Sequence, residues 1–154
     1  MKLTGISEEY AIYGTLFSLN NRIQTIGDKE FTDITMKQHF LMLALGMFEN
    51  PPTLKEMAEL IGCSYQNVKR MAEHLQKEEF INIIQDSKDK RKLLLVYTGK
   101  LEKMAASNTE KTTVFMSQLY KNIPREDLVT TLNTLMKMNQ NIGGIIERQK
   151  EKIG

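Results

Sequence analysis

The most regular alternation of apolar and polar positions lies in the stretch 53–75. Leu54, Met57, Ala58 and Ile61 recur on one face of a short helix, and Val68, Met71, Ala72 and Leu75 do the same on a second. Thr53 and Glu56 have the spacing of a capping box at the start of the first helix, and Gly62 suits the left-handed residue that ends it. Ser64 has the chemistry to cap the second. Ala58, Gly62 and Val68 then stand where a helix-turn-helix needs them. The small residue lets the helices cross closely, the glycine makes the turn, and the branched residue packs between the two.

The remaining pattern surrounds this motif with helices and one hairpin. Residues 7–26 read as a helix capped by Ser7, with Glu8 and Glu9 at its positive end and a stripe of Ile12, Leu16, Leu19, Ile23 and Ile26. Gly27 is expected to stop it. A second capping box, Thr35 with Gln38, opens a helix over 36–48 that is apolar nearly all round (Phe40, Leu41, Met42, Leu43, Ala44, Leu45, Met47). Such a helix is expected in the middle of a domain, buried on every side. Asn50, Pro51 and Pro52 end it. After the helix-turn-helix, the apolar runs 80–84 and 92–97 flank the charge-dense stretch 86–91, the pattern of an antiparallel hairpin. Thr98 is expected to cap the next helix, which carries Leu101, Met104, Ala105, Phe115, Met116 and Leu119 at roughly helical spacing. Pro124 opens the last helix, with Glu126 and Asp127 in its first turn. Its stripe is Leu128, Leu132, Leu135, Met136, Ile142, Ile145 and Ile146, weakened near the end by Gly143 and Gly144.

The expected fold is mainly α with a small β-hairpin wing: a winged helix-turn-helix domain plus a helical dimerisation arm. Residues 1–34 would supply the N-terminal helix of the dimerisation region, 35–98 the winged domain and 99–154 the C-terminal helices of the arm.

Composition narrows the function. The 154 residues are 41% hydrophobic and 26% charged, ordinary for a globular protein. A net charge of +2 is so mild that nucleic-acid binding has to be argued from where the charges lie. No apolar run approaches a membrane span, so no membrane partner is expected. A single cysteine, Cys63, excludes an intramolecular disulfide and fits a reducing cytoplasm. It falls in the helix-turn-helix turn, where a small apolar residue points inward. His39 and His74 lie too far apart in sequence for a metal pair, and no phosphate loop is present. With no nucleophile that has a recognisable partner and no metal motif, the sequence argues against an enzyme and implies no cofactor or metal.

Projected at about 100° per residue, the second helix of the motif places Gln66, Arg70, Glu73 and Lys77 opposite its apolar face, with Lys69 and His74 on the flanks. Ser64, Tyr65, Gln66 and Asn67 occupy its start, the end that a recognition helix inserts into the major groove. Arg pairs bidentately with guanine, and Gln or Asn with adenine. In the hairpin tip, Lys88, Lys90 and Arg91 suit phosphate or a narrow minor groove, and either Asp86 or Asp89 is placed to hold Arg91. The plainer alternative is a winged helix used as a protein-interaction module, its cations merely solvating the surface.

Over nearly its whole length the chain resembles the MarR family of winged-helix regulators. The wing carries the most specific match: Asp86, Asp89 and Arg91 fit the family's acidic and Asp-x-Arg pattern, and Thr98 stands at its usual threonine. The resemblance implies a homodimer on pseudo-palindromic double-stranded promoter DNA, usually a repressor, released by a small-molecule effector or by oxidation. The ten methionines suit a pliable core or an adaptable effector cavity between the DNA-binding lobe and the dimer arm. The sequence departs from the pattern at Glu79 and Leu101, where glycine is common, and at Ile83, where arginine is frequent.

Overall fold

A computed structural model of the chain describes residues 5–30 and 34–153, and side chains over 5–30, 34–100 and 110–152. The elements run α1 (Glu8–Glu30), α2 (Met36–Leu45), α3 (Leu54–Ile61), α4 (Tyr65–Lys77), β1 (Ile81–Gln85), β2 (Leu93–Tyr97), α5 (Lys100–Leu119) and α6 (Arg125–Ile153). They fall into two compact units, Met1–Asn108 and Thr109–Gly154.

In the first unit α2 is central and touches α1, α3 and α4. Its capping box forms as the sequence implies: Thr35 Oγ1 accepts from the Gln38 N–H at 3.2 Å, and Gln38 Oε1 accepts from the Thr35 N–H at 2.8 Å. The α3 box is equally complete, with Glu56 taking both the N–H and the hydroxyl of Thr53 at 2.7 and 2.8 Å. Gly62 ends α3 at φ 67°, a conformation open to glycine at little cost. Around these helices Leu41, Leu54, Met57, Val68, Leu75, Ile81 and Leu95 are fully buried. Each such side chain contributes about 1.5–3 kcal/mol through its removal from water.

Two expectations fail here. Gly27 does not stop α1, which runs on to Glu30. The residue is buried, and a Cβ on it would lie 2.0 Å from Met36 Cγ and 2.3 Å from its sulfur. Glycine is there to let α2 approach. Asp28, one residue on, accepts the Met36 N–H at 2.6 Å and fixes the same crossing. Secondly, α2 is not buried all round and ends at Leu45. Leu41, Met42, Ala44 and Leu45 face the core, while Phe40, Leu43 and Met47 are 50, 58 and 75% exposed.

The hairpin pairs β1 with β2 antiparallel, Ile81 opposite Tyr97 and Gln85 opposite Leu93. Ile81, Ile83 and Leu95 turn inward, whereas Asn82 and Ile84 face water. Its outer strand is tied to the entry of α3 by the Leu95 N–H, which donates to the Pro52 carbonyl at 2.9 Å, and by a bridge between Thr53 and Leu94. The Tyr97 hydroxyl donates to the Met42 carbonyl and ties the strand's far end to α2. Burial pushes the phenol's pKa up.

In the second unit, a turn through Asn122 at φ 60° leads to α6, whose first turn donates from Asp127 and Leu128 to the Pro124 carbonyl. Gly143 and Gly144 do not interrupt α6. Leu132, Met136, Ile142, Ile145 and Ile146 of its stripe are 44–60% exposed. The expected stripe residues Leu101, Met104 and Ala105 lie outside the described side chains. Among the described residues no helix is long and apolar enough to cross a membrane.

Candidate nucleic-acid interface

The buried stripe of α4 fixes which way its other side chains point. Val68, Ala72 and Leu75 are fully buried, so the helix cannot roll without exposing them. Ser64 Oγ accepts the Asn67 N–H at 3.3 Å and starts the helix. As a result Tyr65, Gln66, Asn67, Lys69, Arg70, Glu73, His74 and Lys77 are all exposed. Lys69 is engaged by Glu73 one turn on, at 3.7 Å. Among the described residues, the side chains of Gln66, Arg70 and His74 have no hydrogen-bond or ion-pair partner, so their donors and acceptors face outward unspent. Met71 and Cys63 are half-buried and pack against the core. With Asn67, Arg70, His74 and Gln24, they line a cleft of about 420 Å³ beside the helix.

The wing tip is a tight loop closed by the Asp86 N–H, which donates to the Lys92 carbonyl at 3.0 Å, and by the Lys92 N–H, which donates to that of Asp89 at 2.9 Å. The two aspartates divide the work. Asp86 accepts the Lys88 N–H at 2.8 Å and shapes the backbone. Asp89 holds Arg91: it accepts the arginine's N–H and Nε at 3.1 Å each and Nη2 at 3.3 Å. Those hydrogen bonds, the side-chain ones foremost, keep the Asp89 carboxyl below its usual pKa, and nearby Lys92 adds to the effect. Arg91 is still 91% exposed along its side chain, so it is oriented without being hidden. Lys88 and Lys90 are exposed as well.

The expected base- and phosphate-contacting residues thus lie at the cap of α4 (Ser64), on its exposed surface (Tyr65, Gln66, Asn67, Lys69, Arg70, His74) or on the wing tip (Lys88, Lys90, Arg91), with Asp86 and Asp89 bracing that tip. Three cations were missed. Lys55 and Lys92 line a groove between α3 and the wing together with Tyr65 and Arg91, and Lys92 continues the basic run directly. Lys100 is different: its ammonium reaches the end of α4, a contact that no spacing in the sequence announces. Among the described residues no group of histidine, cysteine or carboxylate side chains could hold a metal ion.

Residues 34–93 match the model of the MarR family. Among curated proteins none matches the sequence. Among solved structures, a MarR/EmrR family transcriptional regulator from Acinetobacter sp. ADP1 is similar with a TM-score of 0.77 at 15% identity, over 90% of this chain and 99% of that one. The S. aureus MepR–DNA complex is similar with a TM-score of 0.73 at 19% identity, over 84% of this chain and 97% of its own. Bordetella bronchiseptica BpsR, whose DNA binding is regulated by 6-hydroxynicotinic acid, gives 0.70 at 16% identity over 83% and 98%. The match to the MarR-family model spans residues 34–93, and the fold that carries them is the winged-helix fold of those solved regulators.

Proposed function

We propose that this chain is a sequence-specific DNA-binding transcriptional regulator that acts in the cytoplasm as a homodimeric repressor. Its site is a pseudo-palindromic promoter sequence. The observation that carries this reading is the outer face of α4, where Gln66, Arg70 and His74 are exposed and unspent beside Asn67. On the same face Lys69 is engaged by Glu73. Here the groups able to read base edges are the ones left open. The wing tip adds Lys88, Lys90 and an oriented Arg91 for the flanking backbone or minor groove.

A second copy is the natural cover for apolar surface that one chain leaves in water. Tyr10, Tyr13 and Phe17 on α1 are 75, 61 and 60% exposed, and the stripe of α6 is open along its length. Residues 1–34 and 99–154 would form that interface and 35–98 would read DNA. The likeness to a protein regulated by 6-hydroxynicotinic acid supports release by a small organic effector. Calorimetric titration with a panel of aromatic acids would register heat if this holds.

The test of the main reading is affinity selection from random duplex DNA, followed by salt titration of what is recovered. A two-fold symmetric site with half-sites about 34–36 Å apart, bound with a steep inverse dependence on salt, is the expected result. Recovery of no preferred sequence by the dimer, with or without the effector panel, would refute it and favour a protein-interaction module.

A further inference from the structure

The turn from α4 into β1 is held by a lysine that belongs to neither element. Lys100, in the first turn of α5, donates from Nζ to the Glu78 carbonyl at 2.6 Å. The same ammonium stands 3.9 Å from a Glu79 carboxylate oxygen and 4.9 Å from the centre of the Phe80 ring. Three consecutive residues are thereby met by one cation. They are the three that turn the chain from recognition helix to wing.

That turn has a reason to need holding. Glu79 sits at φ 62°, a left-handed conformation that disfavours any side chain with a Cβ. The helix closes around it in a Schellman pattern: the Phe80 N–H donates to the Leu75 carbonyl and the Glu79 N–H to that of Gln76, both at 2.9 Å. The Glu78 carbonyl belongs to the negative end of the helix, where a cation is favoured. The Thr98 hydroxyl donates to the Glu79 and Phe80 carbonyls from the same side. Thr98 and Lys100 together fasten the start of α5 to the end of α4.

We propose that Lys100 is a positioning residue of the DNA-reading surface, setting the angle between recognition helix and wing by gripping the 78–80 turn. This rests on the DNA-binding reading above. In this role its ammonium serves the protein's own turn instead of a phosphate. Glu78, Glu79 and Phe80 meet the ammonium on one side and Thr98 occupies the adjoining carbonyls, while the lysine side chain stays 46% exposed.

The test uses the full-length chain with Lys100→Met, which keeps the aliphatic stem over Phe80, and Lys100→Arg, which keeps the cation. Two readouts are taken where all variants remain fully folded. The first, amide hydrogen exchange at Glu79 and Phe80 in the free protein, involves no DNA. Exchange there should rise in Lys100→Met and return toward the parent in Lys100→Arg. The second is affinity for the selected duplex, which should fall in Lys100→Met by up to about tenfold, a loss bounded by the worth of the charge-assisted hydrogen bond that held the turn, with the salt slope unchanged. A slope reduced by about 1.8, about 0.9 for each copy of the lysine in the dimer, would instead mark a phosphate contact and overturn the proposal. So would unchanged exchange, or faster exchange with unaltered affinity. If the parent protein selects no sequence, the functional reading fails and with it the DNA-positioning role, while the exchange data still decide whether Lys100 holds the turn.

Discussion

Single residues carry strain and fit that the overall pattern hides. Glu79 is the clearest case. Its left-handed backbone costs about 1–2 kcal/mol relative to a relaxed conformation, and glycine would avoid this at the expense of greater freedom in the unfolded chain. Its ion pair with Lys100 is long and exposed, so it offsets little. Glu79→Gly should therefore raise unfolding free energy by about 0.5–1 kcal/mol in urea titration. Gly27 predicts the reverse. Alanine is a better helix former than glycine by about 1 kcal/mol, yet its methyl would collide with the Met36 side chain. Gly27→Ala should lose about 1–3 kcal/mol, and pairing it with Met36→Ala should recover part of that loss in a double-mutant cycle.

At the scale of elements, the ends of helices were legible and their packing was not. Capping boxes at Thr35 and Thr53, the cap at Ser64 and the turn at Gly62 are local chemistry, written within four residues. The outward face of α4 was readable too, because one buried stripe fixes the opposite side. Gly27 misled because a glycine that stops a helix and one that admits a neighbour look alike until the neighbour is known. For α2, an apolar surface in sequence gives no measure of how much of it another element covers. The Asp89–Arg91 pair was half legible, since spacing allowed either aspartate and only the loop's hydrogen bonds decide between them.

These caps also set the response to acid. Glu56 is held below its usual pKa of 4.5, first by the Thr53 N–H and then by the Thr53 hydroxyl. A carboxylate whose pKa falls on folding adds stability above its unfolded value, and that stability is lost as pH drops through the folded one. Thr53→Ala should cost about 1 kcal/mol at neutral pH and flatten the stability profile below pH 4.5. His39 acts earlier. Burial lowers its pKa from 6.5, so folding favours the neutral ring, and stability should begin to fall as pH drops below that value. A pH series of thermal unfolding, with Thr53→Ala alongside the parent, separates the two stages.

For the whole molecule, the proposed two-fold symmetry would multiply every contact with DNA. A homodimer reads its site with two copies of α4, so one substitution removes two side chains at once. Arg70→Ala should cost about 1–3 kcal/mol per half-site if each guanidinium grips a guanine. The loss should be concentrated at one base position in each half-site. Equal loss on every sequence, with a smaller salt slope, would assign Arg70 to phosphate. Binding to duplexes carrying one or two altered half-sites measures both.

The union of Leu95 with Pro52 bears on how the chain avoids its own neighbours. A hairpin offers two open margins on which another chain can add a strand and begin to aggregate. Along β2 the Leu95 donor is already taken by Pro52, and a proline has no N–H with which to continue the ladder. Pro51 beside it lacks one as well. The prolines that bring the chain into its reading motif thus close that margin against recruitment by a second molecule. Only the β1 margin of the wing is then left for another strand to join.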